Sequence, residues 1–378
     1  MIKPEISPEL SILINAALKA DGESQISTEN PPINWDSVMN LARWHQVRPL
    51  LFHYLEKNRG IAVPEKYTQS LRNYVISRTV TNMTFLSISL DLHRQLLQHK
   101  IPSFLMKGAL WSWMFYEKPG SREFGDVDYY IKKTSIKDSL KVLSHNGFEP
   151  DSYRNYLFEN ERVAALYLKT DYQLPLEPSE ENALQSLEIQ WNSSYPRYCY
   201  SFSWEELTAK MMDFPLLNTS VEVPNMENQL LMMLVHHAGI EQWDKLKYVA
   251  DFIRLLRNEA ENLDWDYITK TAKAKGFYRL LMESLGMVTV FTGENYLKYS
   301  PVNHSAVYPD KKLLAATIAH WENERPTLKS KSWRIFIFNF KYRDDWKIKV
   351  DILLAHLSYL TQWQLIWHKF LWYNRKRS

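Results

Sequence analysis

The chain has 378 residues, 45% of them hydrophobic and 24% charged, which is enough for two or three domains of a globular protein. Its net charge of +3 gives no general reason to expect a long nucleic acid as a partner, and only 10 glycines argue against a glycine-rich dinucleotide loop or an all-β fold. The single cysteine excludes an intrachain disulfide and fits a reducing compartment.

The first residues contain no apolar core of a secretory signal, and no stretch approaches ~18 uninterrupted apolar residues. We therefore expect a cytoplasmic protein without a membrane span.

The N-terminal region, 1–100, is expected to be helical. Residues 7–58 show helical periodicity, interrupted near the polar, proline-containing stretch 21–33. Apolar residues between Leu86 and Leu97 then predict one long amphipathic helix that runs to about Lys100.

The middle region, 101–200, has the pattern of a small sheet with helices. Short apolar or alternating segments predict four strands, at 101–106, 126–132, 163–169 and 184–191. Residues 109–116 are expected to be helical, and the acidic, proline-containing segment 170–182 is expected to be a loop. Ser135 and Asp138 form a possible capping box for a helix that Asn146-Gly147 closes.

From Trp204 onward the pattern is helical again, so that region 201–378 is predicted to be a C-terminal helical domain. The fold class is therefore α+β, predominantly helical, with a small mixed sheet between helical regions. Segment 330–378 is rich in aromatic residues and ends in a basic tail. We interpret these aromatic residues mainly as helix core, with a membrane-surface or partner-docking role as the alternative.

The stretch between Lys107 and Asp128 carries the most chemistry. Asp126 and Asp128 are two residues apart, so on a strand their carboxylates point to the same side and repel each other unless a cation lies between them. Hard oxygen ligands of this kind suit Mg²⁺. Lys107 and Arg122 add positive charge nearby in sequence, and the combination fits a metal-bound triphosphate.

Lys107-Gly108, Arg122 and Asp126-Val127-Asp128, in this order, closely resemble the signature of the DNA polymerase β nucleotidyltransferase superfamily, and in particular its uncharacterised bacterial nucleotidyltransferase family. Segments 34–55, 187–192 and 228–256 resemble other parts of that family. Two positions depart from the pattern: Ala109 stands where many superfamily members have Gly or Ser, and Gln190 where the family often has His.

A third carboxylate is expected because two-metal phosphoryl chemistry needs another anionic ligand beside the nucleophile. Glu188 lies on a predicted strand, on the opposite side from Leu187 and Ile189. The family resemblance selects the same residue. Asp126, Asp128 and Glu188 are therefore the predicted catalytic residues and ligands of two Mg²⁺ ions.

The predicted nucleotide-binding residues are Lys107, Gly108 and Arg122. Gly108 lacks a Cβ, so that its backbone can approach a phosphate of the NTP closely, while Lys107 and Arg122 offset phosphate charge. Two plainer interpretations remain open: Lys107 orders the turn by pairing with a carboxylate, and Arg122 lies on the surface.

The resemblance implies an enzyme that transfers an NMP from an NTP to a hydroxyl of a small-molecule acceptor, with release of pyrophosphate. A protein acceptor remains open, and a long nucleic acid is not expected. The alternative is a catalytically inactive scaffold of the same fold that binds a nucleotide or a partner. His236 and His237 are adjacent and unsuited to share a metal on a helix; His237 is interpreted as a buried histidine paired with Asp251.

Overall fold

The computed structural model describes residues 6–19, 33–180, 182–299, 309–323 and 331–375. In this part of the chain the fold is α+β and predominantly helical, with a five-stranded mixed sheet and a two-stranded sheet, as the sequence predicts.

The chain divides into two compact units. The first unit comprises Met1–Asn82, Trp111–Phe124 and Gln229–Asp344, and the second comprises Met83–Leu110, Gly125–Asn228 and Asp345–Ser378. The division by sequence into 1–100, 101–200 and 201–378 stays a prediction.

The α-helices are α1 (Pro8–Leu18), α2 (Trp35–His45), α3 (Arg48–Lys57), α4 (Glu65–Gln98), α5 (Gly108–Phe115), α6 (Ile136–His145), α7 (Ser152–Phe158), α8 (Glu161–Thr170), α9 (Trp204–Thr208), α10 (Met226–Met233), α11 (Leu246–Glu259), α12 (Trp265–Ala274), α13 (Tyr278–Thr292), α14 (Lys311–Trp321), α15 (Lys331–Tyr342), α16 (Trp346–Leu360) and α17 (Trp363–Arg375). A π-helix at Leu234–Ile240 follows α10. The strands are β1 (Ser103–Met106), β2 (Val127–Ile131), β3 (Phe148–Pro150), β4 (Gln173–Pro178), β5 (Leu187–Gln190), β6 (Met211–Leu216) and β7 (Thr219–Pro224).

The N-terminal helices begin where the sequence supplies capping side chains. Ser7 accepts a hydrogen bond from the Leu10 N–H at the start of α1, and Asn34 accepts one from the Ser37 N–H at the start of α2. The expected long helix is α4, which ends two residues before Lys100. The expected interruption at 21–33 lies outside the described residues except for position 33.

The five-stranded sheet belongs to the second unit and has the order β1-β2-β5-β4-β3. β2 and β5 are parallel, whereas the other neighbouring pairs are antiparallel. Val127, Tyr129, Leu187 and Ile189 are almost completely buried and belong to the apolar core. Because side chains alternate along a strand, Asp128 on β2 and Glu188 on β5 share the opposite side of the sheet.

Two predictions between β2 and β5 are wrong. Segment 163–169 is not a strand but lies in α8, which the Asn160 side chain caps by accepting hydrogen bonds from two backbone N–H groups. Its buried residues Val163, Ala164 and Tyr167 have helical spacing. Segment 170–182 is not simply a loop, because it contains β4, which pairs antiparallel with β5.

Two further predictions fail in detail. The capping box at Ser135 is wrong, because the Ser135 side chain makes no capping hydrogen bond and residues Lys133–Ser135 form a 3₁₀ turn before α6. The helical prediction after Trp204 misses the hairpin of β6 and β7, whose turn contains Leu217 with a φ of +56°. Its signal was the alternation of Val221 and Val223, which are both buried.

The first unit buries His45 through two backbone hydrogen bonds. His45 Nε2 lies 3.0 Å from the Trp321 carbonyl oxygen, and the Leu246 N–H donates to His45 Nδ1 over 3.2 Å. This pattern requires the neutral tautomer with its proton on Nε2. Burial lowers the pKa of His45 to about 4, so the ring stays neutral near neutral pH.

Among the described helices, none is both long enough and apolar enough to cross a bilayer.

Gly120 generates a stability prediction, because an added Cβ would lie 2.1 Å from Thr79 Oγ1 and 3.3 Å from Thr79 Cα. We expect Gly120→Ala to destabilise the protein by about 1–3 kcal/mol through overpacking. Urea denaturation followed by circular dichroism measures the change. Thr79→Ala alone is the control, and combining it with Gly120→Ala is expected to restore part of the loss. An unchanged midpoint for Gly120→Ala would contradict this packing.

Candidate active site

Lys107 forms the turn between β1 and α5. β1 ends at Met106, α5 begins at Gly108, and Lys107 between them has a φ of +47°, in the left-handed region that non-glycine residues seldom adopt. The residue is 9% exposed. Its Nζ lies 3.7 Å from Asp128 Oδ1 and donates a hydrogen bond to Gln190 Oε1 over 3.2 Å. The turn therefore directs a cation at the carboxylates of the sheet.

Three predicted catalytic carboxylates are brought together by the sheet. Asp128 on β2 is the register partner of Glu188 on the parallel strand β5, and Asp126 lies immediately before β2. One carboxylate oxygen from each of the three residues lies within 4.8 Å of the others. Asp128 is buried, whereas Asp126 and Glu188 are partly accessible. The cluster has the hard oxygen ligands that Mg²⁺ prefers.

Gln190 connects the groups of this cluster. Its Oε1 accepts the hydrogen bond from Lys107, while its Nε2 donates to Asp128 Oδ1 over 2.8 Å and to Glu188 Oε2 over 3.4 Å. Gln190 is fully buried. In the sequence this residue was marked only as a departure from the family pattern and had no assigned role. In the structure its amide orients two of the three carboxylates.

The electrostatics of the cluster favour a bound cation. Burial raises the pKa of Glu188, and the negative charge of Asp126 raises it further, while Lys107, the Gln190 hydrogen bond and Arg154 act in the opposite direction. A raised pKa means that the ionised form of the carboxyl is disfavoured. A metal ion that neutralises the cluster would offset both the desolvation cost of the buried charge and the repulsion between the carboxylates.

Arg154 is a candidate functional residue that the sequence reasoning missed. It lies on α7, its Nε donates to the Tyr167 hydroxyl over 3.2 Å, and it forms an ion pair with Asp151. Its charge acts on Glu188. No local motif marks this residue, whose effect on Glu188 arises from the tertiary packing of the second unit.

Arg122 belongs to the first unit, where it forms a buried ion pair. Its Nε donates to Asp251 Oδ1 and a terminal nitrogen donates to Asp251 Oδ2, both over 2.9 Å. Arg122 is 4% exposed, so the interpretation of this residue as a surface residue is wrong. Its predicted contact with phosphate stays a prediction.

His237 and Tyr116 complete the network around Asp251. His237 Nε2 lies 3.1 Å from Asp251 Oδ2, and the Tyr116 hydroxyl donates to Asp251 Oδ1 over 2.6 Å. The predicted pairing of a buried His237 with Asp251 is therefore confirmed. Burial alone would raise the pKa of Asp251, but the Arg122 guanidinium and the His237 hydrogen bond hold it well below its usual range.

The protein-family comparison assigns the chain. The model of a family described as "Uncharacterised nucleotidyltransferase" matches residues 31–293, more than half of the sequence. The chain belongs to this nucleotidyltransferase family. The matched range contains all the predicted site residues of this family member and the Asp251 network. No curated protein and no solved structure matches the chain.

The buried histidines generate a pH prediction. Burial lowers the pKa of His237 from 6.5 to about 4, and those of His45 and His93 to about 4 as well. Between these two pKa values a histidine side chain is protonated in the unfolded chain but neutral in the folded chain. The free energy of unfolding therefore falls as pH falls from about 6.5 to about 4. Each histidine contributes about 1.4 kcal/mol per pH unit within this window.

We expect His237→Gln to make this decline shallower by the contribution of one proton, as measured by denaturant unfolding at a series of pH values. The exposed His145 provides the matched control, His145→Gln, which should keep the wild-type slope. Equal slopes for His237→Gln and the wild type would contradict a neutral, buried His237. The slopes of unfolding free energy against pH are compared, and not the free energies themselves, because His237→Gln also changes the contact with Asp251.

Proposed function

We propose that this protein is a Mg²⁺-dependent enzyme that transfers an NMP from an NTP to a hydroxyl of a small-molecule acceptor and releases pyrophosphate. The observation that carries the proposal is the cluster of Asp126, Asp128 and Glu188 oxygens within 4.8 Å, next to the Lys107 turn. Membership of a nucleotidyltransferase family supports the reaction class.

The three carboxylates fit the proposed metal. Their oxygens are hard ligands, and Glu188 has a raised pKa in the absence of a counter-charge that neutralises the whole cluster. Asp126 and Asp128 would hold both Mg²⁺ ions, and Glu188 would complete the ligand set on the side of the acceptor. Bound Mg²⁺ would supply positive charge beside the attacking and leaving oxygens.

The turn at Lys107 is the proposed phosphate-binding element. Gly108 is the first residue of α5, and the positive end of the helix dipole at this N-terminus favours a bound anion such as a phosphate. Lys107 adds a charged donor on the same turn. Arg122 remains a proposed phosphate contact, in addition to its ion pair with Asp251.

In the proposed reaction the acceptor hydroxyl oxygen forms a bond to the α-phosphorus of the NTP, and the bond from that phosphorus to the departing pyrophosphate breaks. Glu188 is the proposed recipient of the hydroxyl proton. The Gln190 amide would hold Glu188 and Asp128 in place during this transfer, because it donates to both.

The net charge of +3 favours a small acceptor over a long nucleic acid, with a protein hydroxyl as the second possible acceptor. The alternative function is a scaffold that keeps the fold and binds a nucleotide or partner without turnover. The complete set of three carboxylates favours the enzyme, because a scaffold has no need to keep three repelling acids together.

Asp128→Asn provides the central test. We expect it to reduce Mg²⁺-dependent turnover more than about 100-fold, equivalent to more than about 2.7 kcal/mol of transition-state free energy, because the amide removes a shared anionic ligand. Pyrophosphate release is measured with each of the four NTPs and a panel of hydroxylated acceptors. Asp138→Asn, an exposed change of the same chemistry on α6, is the control. Wild-type binding of NTP without turnover would support the scaffold, and full activity of Asp128→Asn would exclude the mechanism.

Lys107→Met separates metal binding from turnover. Lys107 Nζ lies 3.7 Å from Asp128 Oδ1, so its charge opposes a metal ion at the same carboxylate. We expect the variant to bind Mg²⁺ about tenfold more tightly in the absence of nucleotide, yet to turn over NTP more slowly. Calorimetric titration with Mg²⁺ gives the affinity, and the exposed Lys141→Met is the matched control. Weaker Mg²⁺ binding by Lys107→Met would contradict this competition.

A further inference from the structure

The last two helices of the second unit present large apolar side chains to solvent. Of the 19 exposed large hydrophobic residues in the described part of the chain, 11 lie on α16 and α17. They are Trp346, Leu353, Leu354, Leu357, Tyr359, Leu360, Trp363, Ile366, Trp367, Phe370 and Tyr373. Trp346 is 75% exposed and Ile366 is 67% exposed. Soluble proteins seldom expose so many neighbouring apolar groups without a partner.

The exposed residues follow helical spacing. On α16, the exposed Trp346, Leu353, Leu357 and Leu360 and the half-buried Val350 are spaced in alternating steps of four and three residues, whereas the exposed Leu354 and Tyr359 lie outside this series. On α17 the exposed side chains are Trp363, Ile366, Trp367, Phe370 and Tyr373. With about 3.6 residues per turn, each set lies on one side of its helix. Each helix therefore has an outward apolar stripe.

Both helices are anchored through their other sides. On α16, Ile352 is fully buried and the His356 ring lies 5.1 Å from the Tyr198 ring. On α17, the Trp372 ring lies 5.2 Å from the Tyr153 ring, and His368 Nδ1 lies 3.1 Å from the Tyr156 hydroxyl. The outward stripes are thus fixed features of packed helices.

The charge of this segment indicates what covers the stripes. Residues 346–378 contain six lysines and arginines and one aspartate, whereas the whole chain has a net charge of only +3. Lys347 and Lys349 lie to either side of the α16 stripe, and Lys369 lies beside the α17 stripe. A second copy of the chain would bring the same positive charge, whereas an anionic surface with an apolar interior complements both features.

We propose that the outward faces of α16 and α17 form a docking surface for an anionic lipid bilayer. Trp and Tyr side chains favour the boundary between headgroups and acyl chains, and lysines beside an apolar stripe reach anionic headgroups. The helices lie in the interface plane, since their lysines and Asp351 exclude a spanning orientation. This surface localises the protein at a membrane independently of the reaction at its carboxylates.

The test is co-sedimentation of the full-length protein with phosphatidylcholine vesicles, with or without phosphatidylglycerol. Binding is expected only with phosphatidylglycerol and should weaken as salt increases. Ile366→Ser combined with Phe370→Ser is expected to reduce the partition coefficient at least about tenfold. Lys347→Glu combined with Lys349→Glu should reduce it also. Ile76→Ser, which removes a 60% exposed apolar side chain from α4, is the matched control and should bind as the wild type does.

Absence of binding to phosphatidylglycerol vesicles would overturn the proposal, as would equal binding by the stripe variants and the wild type. Light scattering in solution tests whether a second copy of the chain covers the surface instead. A dimer that Phe370→Ser dissociates would identify the surface as a contact between copies and would also overturn the proposal. Because none of these readouts requires NTP turnover, failure here is distinguishable from failure of the proposed enzyme function.

Discussion

Repulsion among carboxylates on neighbouring strands is the constraint around which the candidate site is organised. The parallel pairing of β2 and β5 places Asp128 opposite Glu188, and Asp126 adds a third acid. Such a cluster is unfavourable by itself. The Lys107 turn and the Gln190 amide supply part of the compensation from within the second unit. The divalent cation that we propose would neutralise the remaining charge, which connects local strand geometry to the proposed chemistry.

Site residues within one strand or one turn were easier to predict from the sequence than the tertiary contacts between those elements. The two-residue spacing of Asp126 and Asp128, and the turn at Lys107-Gly108, depend on one strand and one turn. The prediction of Glu188 required both the alternation of side chains along β5 and the family resemblance. α8 was mistaken for a strand because a short apolar run fits both periodicities, and the prolines of 173–178 concealed β4. Arg154 and the role of Gln190 depend on tertiary packing, for which the sequence has no local signal.

The Arg122 network shows that a charged residue in a catalytic motif can also be structural. Its partner Asp251 lies far along the sequence, yet both side chains are almost completely buried in the first unit. Removing one partner of such a pair leaves an uncompensated buried charge, which typically destabilises a protein by about 3–5 kcal/mol. Loss of activity on replacing Arg122 therefore has two physical explanations. His237 and Tyr116 belong to the same network and share this consequence.

The parallel pairing of β2 and β5 also has a consequence for folding. Parallel strands need a crossover, and here α6, β3, α7, α8 and β4 all lie between the two strands in sequence. The ends of this long loop must meet before Asp128 and Glu188 become neighbours, and such non-local closure is slow. In the unfolded chain these acids are apart and have no shared affinity for a cation. A divalent metal would then bind only after the sheet closes and would stabilise the native state in proportion to its concentration.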